Sequence, residues 1–231
     1  MPLLRKRTPR PPSPDAEALK KSPTNLQPDV WLFEKDGRKI VLKTFKDSHP
    51  LPRATLCRWV ARREARNLKL LHDVAGVPRL LGMPDPTSIE MTLLDADSLI
   101  EEKKGHGLDH AFFDQLEELI QEIHSHRLNY GDLRRKNIMQ DRQTKRPCLV
   151  DFAQCFYFRW EFWPFSAARR LFFEVDRQHF LKLKKWYLGG KQLTPEEYKE
   201  HKNPPGMLTL GRFYRQNIYR RLKDRRKKRR R

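Results

Sequence analysis

The chain has 231 residues, 38% of them hydrophobic, and a formal net charge of +20. A chain of this length can bury a core without disulfide or metal staples, and its three isolated cysteines, Cys57, Cys148 and Cys155, form neither a C-x-x-C pair nor a zinc-spaced set, which argues against a disulfide scaffold or a zinc module. No run of about 18 apolar residues occurs and the start lacks an apolar signal core, so a cytoplasmic chain that does not span a membrane is expected. The charge is uneven: residues 220–231 carry ten Lys/Arg against one Asp, and residues 1–21 carry six against two acids. Such ends favour anionic partners.

Residues 1–24 are rich in Pro, Lys, Arg and Ser, the composition of a disordered leader. Order is expected from about Val30. Trp31–Lys35 and Lys39–Phe45 read as strands around Asp36-Gly37, a pair suited to the positive φ angles of a tight hairpin. A loop with Pro50 and Pro52 leads to a helix from Thr55 to about Val74, which Gly76, Pro78 and Gly82 end. Ser88–Leu94 is a further strand. Phe112, Phe113, Leu116, Leu119, Ile120 and Ile123 form an apolar stripe that predicts a helix over 109–126. Short strands at Asn137–Gln140 and Cys148–Phe152 flank a turn at Thr144-Lys145-Arg146. Residues 176–188 and 210–224 read as helices. The order suits an α+β protein, sheet-rich first and helical later.

One stretch carries chemistry: Tyr130-Gly131-Asp132-Leu133-Arg134-Arg135-Lys136-Asn137, followed by Val150-Asp151-Phe152. Phosphoryl transfer needs a carboxylate to orient the acceptor hydroxyl, oxygen ligands for Mg²⁺ and cations on the phosphates. Asp132 sits in a loop, Asn137 enters the next strand and Asp151 ends its partner, so a hairpin can bring all three together.

Here the sequence resembles the protein-kinase-like superfamily, in D-L-x-x-x-x-N and in D-F after an apolar strand. More closely it looks like small bacterial members, the RIO-like kinases and the lipopolysaccharide-core (Kdo/heptose) kinases. The resemblance covers about residues 30–155. It implies a two-lobed kinase-like fold: leader 1–24, N-lobe 25–97, C-lobe 98–219 and polybasic tail 220–231. It implies ATP and Mg²⁺ as cofactors, Asp132 as catalytic base, and Asn137 and Asp151 as metal ligands. Lys43, in Ile40-Val41-Leu42-Lys43, would touch the α- and β-phosphates with Glu64 as its helix partner, and Arg134 would steady the γ-phosphate. The acceptor would be a protein Ser/Thr hydroxyl or a lipopolysaccharide-core sugar. The alternative is a non-catalytic, pseudokinase-like module that docks on membrane or RNA through its basic ends.

Three departures stand out. No G-x-G-x-x-G precedes Trp31, so the cover over the phosphates is expected to be short or missing. Tyr130 replaces the usual loop histidine. Ala153 follows Asp151-Phe152 where a glycine is usual, and no A-P-E comes after it, which points away from an activation-loop switch. Downstream, residues 156–173 interleave aromatics with arginines. That segment reads as packing of the helical part, or as a substrate-docking surface or a peripheral contact with the inner face of the membrane. The polybasic tail would add to such a contact, with nucleic acid ranked below membrane or an anionic acceptor.

Overall fold

The computed structural model describes residues 9–22, 27–50, 53–99 and 108–188. The expected tail over 220–231 and the helix over 210–224 lie outside the described residues.

A five-stranded antiparallel sheet comes first, built from β1 (Glu17–Lys20), β2 (Asp29–Lys35), β3 (Arg38–Thr44), β4 (Leu80–Asp85) and β5 (Ser88–Thr92), in the order β1-β2-β3-β5-β4. The β2–β3 hairpin closes at Asp36-Gly37, where φ is 53° and 71° and Lys35 pairs with Arg38. These are the positive angles of the two-residue turn that the dipeptide predicts. In β3, paired on both sides, Ile40, Val41 and Leu42 are all buried.

Helix α1 (Arg58–Leu70) follows a wide turn at Arg53–Cys57. It buries Ala61, Glu64, Ala65 and Leu68, positions spaced three and four apart and so on one face. Helix α2 (His110–Ser125) starts at Asp109, whose carboxylate accepts a hydrogen bond from Phe112 N at 2.9 Å, a side-chain cap worth ~1 kcal/mol. Its predicted apolar stripe is buried at all six positions. Beside it lie a three-stranded sheet, β6 (Ala96–Ser98), β8 (Ile138–Asp141) and β9 (Pro147–Leu149), in the order β6-β8-β9, and a pair, β7 (Leu128–Asn129) with β10 (Phe156–Tyr157). Helix α3 (Phe165–Leu188) closes the described chain. One buried cluster runs from Val41 and Ile89 of the sheet, through Leu68 of α1 and Leu116 of α2, to Phe180 of α3.

Two expectations need correction. The leader over 1–24 is not structureless throughout, because Glu17–Lys20 pairs with β2 through Ala18 opposite Trp31. A sheet edge offers free backbone donors and acceptors to any neighbouring segment, whatever its composition. The helix expected from 176 begins eleven residues earlier, at Phe165. The aromatics and arginines there lack a clean apolar stripe, so periodicity could not find that half of it.

Candidate phosphoryl-transfer site

Lys43 is the penultimate residue of β3, and its side chain is 12% exposed. The inward face of α1 brings Glu64 to it: Lys43 Nζ lies 2.6 Å from Glu64 Oε1. Asp151 approaches from the other side, with its Oδ1 3.3 Å from the same nitrogen. What delivers Asp151 is a clamp between α1 and the segment after β9. Asn67 Nδ2 donates to the carbonyls of Phe152 and Cys155, each at 3.0 Å. Arg63 donates to the carbonyls of Cys155 (3.0 Å) and Gln154 (2.8 Å). Asp151 itself has φ 71°, ψ 71°, a left-handed conformation uncommon outside glycine.

The electrostatics follow from burial and pairing. Burial disfavours the Lys43 ammonium, but the carboxylates of Glu64 and Asp151 outweigh it and hold its pKa above that of an ordinary lysine. Burial raises the Glu64 pKa against the opposing pull of Lys43. For Asp151 burial also pushes upward, yet Lys43, with help from Lys136 and Lys20, brings its pKa below the ordinary carboxylate value. Lys43 is therefore charged at neutral pH, and Asp151 is an anion beside it.

The second half of the site is the loop after β7. Asn137 Nδ2 donates to Asp132 Oδ2 at 2.9 Å and to the Asp132 carbonyl at 3.0 Å. Arg134 Nε forms an ion pair with Asp132 Oδ1. Asn137 immediately precedes β8 and Asp151 lies two residues after β9; Ile138 pairs with Leu149, and Val150 N donates to the Asn137 carbonyl at 3.0 Å. The hairpin thus brings Asn137 and Asp151 to the wall of one cavity of about 400 Å³, which Lys43 also lines. Its apolar lining includes Val30, Val41, Met91 and Met139, and its size and character are those of a small-molecule site. All six residues singled out in the sequence, Lys43, Glu64, Asp132, Arg134, Asn137 and Asp151, fall into these two linked clusters.

Asn137 and Asp151 also bear on Mg²⁺. With Nδ2 given to Asp132, Asn137 keeps its amide oxygen for a cation, and Asp151 offers a carboxylate into the same cavity. Among the described residues no group of three or more His, Cys, Asp or Glu could hold a metal ion. Two oxygen donors fit Mg²⁺, which is commonly held by one or two protein groups and by substrate phosphates.

The sequence reading missed three contributors. Asp176 of α3, fully buried, accepts hydrogen bonds from Tyr130 N at 2.7 Å and Gly131 N at 2.8 Å, and lies 3.0 Å from His124 Nε2. It holds the backbone of the loop that carries Asp132. Gly131 has φ 76°, and a Cβ there would come within 3.1 Å of Gln154 O, so the loop needs glycine at this point. Leu19 and Lys20 of β1 also line the cavity, a contribution from the segment read as a leader. Tyr130 fills the histidine position as a buried ring, edge-on to Phe152 at 5.3 Å, with its hydroxyl bonded to the Val150 carbonyl.

No family model and no curated protein matches the sequence. Among solved structures, the Rio2 kinase from Chaetomium thermophilum matches with a TM-score of 0.56 and 20% identity, over 78% of this chain and 61% of that one. The Rio2 kinase–ADP/Mg²⁺–phosphoaspartate complex from the same organism matches with a TM-score of 0.54 and 20% identity, over 77% of this chain and 60% of that one. The chain spans about three fifths of the length of those structures. Such likeness carries the fold, and the chain has the two-lobed protein-kinase-like fold.

Proposed function

We propose that the chain is an ATP- and Mg²⁺-dependent phosphotransferase that moves the γ-phosphate to a hydroxyl acceptor. One observation carries this reading. Lys43, paired with Glu64 and Asp151, lines one partly apolar cavity together with Asn137 and Asp151, and Asn137 bonds in turn to Asp132, which lines a second groove. An inert scaffold has no use for a buried cation between two carboxylates, which costs desolvation to keep.

In this reading the apolar part of that cavity takes the adenine ring, and Lys43 lies on the α- and β-phosphates. Asn137 and Asp151 would hold Mg²⁺, which when bound neutralises phosphate charge. Asp132 orients the acceptor hydroxyl and accepts its proton as the acceptor oxygen bonds to the γ-phosphorus. The bond from that phosphorus to the β–γ bridging oxygen breaks, and ADP leaves. Arg134, paired with Asp132 at rest, is placed to move onto the transferred phosphoryl group.

The acceptor side adds a preference. A groove of about 550 Å³ opens beside Asp132, and Arg134, Arg135, His179 and Lys182 line it. Asp132 is the only acid in that lining. The groove therefore suits an acceptor that bears phosphate or carboxylate groups, as a lipopolysaccharide-core sugar or an acidic protein segment would.

The test is transfer of label from γ-labelled ATP, with Mg²⁺, into cell extract fractionated into protein, glycolipid and small molecules. Label should enter one fraction, and Asp151→Ala should abolish the transfer. Transfer by Asp151→Ala near the wild-type rate would overturn the mechanism. Failure of the wild-type chain to bind or hydrolyse Mg·ATP would leave the non-catalytic docking module in its place.

A further inference from the structure

The largest exposed aromatics among the described residues do not lie at the candidate site. Trp163 is 79% exposed, Phe162 61%, Trp59 54%, and Trp160 and Phe156 about half. They connect into one surface. The Arg63 guanidinium lies between Trp59 of α1, 4.9 Å from its ring, and Phe156 of β10, 4.0 Å from its ring. Phe156 packs on Phe172 of α3 at 5.4 Å. Phe165 is seven residues before Phe172 on that helix and so on the same face. It carries the tip of the loop, with Trp160 at 4.8 Å and Phe162 at 5.3 Å. A hydrophobic surface this long on a polar protein marks an interaction site.

The charge around it is one-sided. From Arg53 to Arg66 there are five arginines and one acid, Glu64, which is buried against Lys43. Glu161 is the only acid from Ala153 to Phe173, and it lies 3.1 Å from Arg127 and 3.4 Å from Arg169. Arg159 and Arg170 add to the positive excess of that run. Rings that present an apolar body beside a rim of arginines match the boundary of an anionic bilayer. No described helix is long and apolar enough to cross a membrane, so the contact is with the surface. Single-stranded nucleic acid would want rings spaced along a groove, one base apart. Here the two most exposed rings, Phe162 and Trp163, are adjacent at a loop tip.

We propose that the outer face of α1, β10 and the loop Trp160–Phe165 form a docking surface for an anionic membrane, with Phe162 and Trp163 entering the headgroup region. The residues changed in the test, Phe162, Trp163, Arg62 and Arg66, take no part in the candidate site, and Arg63, which also bonds to the Gln154 and Cys155 carbonyls beyond Asp151, is left in place, so the surface is tested apart from phosphoryl transfer.

The test is flotation of the full chain with vesicles of phosphatidylglycerol and phosphatidylcholine in equal parts, against phosphatidylcholine alone. Binding should require the anionic lipid. Phe162→Ser with Trp163→Ser should lower partitioning roughly tenfold or more, the scale of losing two apolar side chains from the interface. Arg62→Gln with Arg66→Gln should lower it about fivefold for each cation removed. Brominated lipid should quench tryptophan fluorescence in the wild-type chain. Trp163→Phe, which keeps an apolar ring, should retain binding and lose part of the quenching. Unchanged binding by the double-serine variant would assign the attraction to charge elsewhere, such as the basic ends, and overturn the proposal. Absence of quenching would do the same, as would conversion of a dimer to a monomer by the double-serine change in lipid-free gel filtration.

Discussion

The two halves of the candidate site are built on different principles. The Lys43 half is held by charge. Three side chains from β3, α1 and the turn after β9 meet as ions, with Asn67 and Arg63 seating the segment that follows Asp151. The Asp132 half is held by backbone. Asp176 grips two successive N–H groups, Asn137 bonds to both the carboxylate and the carbonyl of Asp132, and Gly131 supplies a conformation other residues resist. The first half aligns the sheet-rich region with the helical one, whereas the second shapes a loop. Substitutions should therefore fail differently in the two halves.

The largest effect is expected at Asp132. Asp132→Asn keeps the shape of the loop and removes the proposed base, so turnover should fall about 10²–10⁴-fold while the affinity for Mg·ATP stays near wild type. Lys43→Met should cut both ATP affinity and stability, because it leaves Glu64 buried without its cation. Breaking such a pair costs roughly 3–5 kcal/mol, readable as a lower urea midpoint. Equal stability of Lys43→Met and wild type would show that charge does not hold that half together.

Asp176→Ala removes the acceptor of two charge-assisted hydrogen bonds, each worth about 1.5–3 kcal/mol. It should destabilise the chain by about 3 kcal/mol and lower turnover, although Asp176 lines neither the Lys43 cavity nor the groove beside Asp132. Gly131→Ala comes next, with about 1–2 kcal/mol of backbone strain in the left-handed region. Its loss should appear in turnover with ATP affinity kept, since the loop moves and the cavity does not.

The smallest effect is on the acid limb. The depressed pKa of Asp151 means that its contribution to stability is fully present above the ordinary value of 3.8 and is lost as pH falls through the depressed value. Asp151→Asn should remove that part of the pH dependence. Melting temperatures of the two chains should therefore converge as pH drops below about 4.

Which parts were legible follows the same division. Lys43, Asp132, Asn137 and Asp151 each sit in a local pattern: V-L-K in a strand, D-L-x-x-x-x-N in a loop, and D-F after an apolar strand. Glu64 taken alone reads as one charge among many on α1; the resemblance named it as the partner of Lys43, and in the helix it is buried with Ala61, Ala65 and Leu68. Asp176 had no signal. One of two acids within Phe172-Phe173-Glu174-Val175-Asp176-Arg177, it reads as a solvated position, and its partner Tyr130 N is 46 residues away. The strand β1 was hidden because Glu-Ala-Leu-Lys has no strand pattern of its own, and only pairing with β2 makes it one. In β4, Gly82 and Pro84 read as breakers, yet an edge strand with irregular register tolerates both.

By itself the sequence determined the elements whose cause is local: the Asp36-Gly37 hairpin, the apolar stripe of α2, and the order in which Lys43, Asp132, Asn137 and Asp151 appear. Only the tertiary structure decided that Lys43 finds both Glu64 and Asp151, that Asp176 shapes the loop under Asp132, and that β1 helps to line the cavity. The reason is physical. Turn conformation and helical periodicity depend on neighbours a few residues away, whereas ion pairs, buried acceptors and sheet edges depend on which distant segments the core brings into contact.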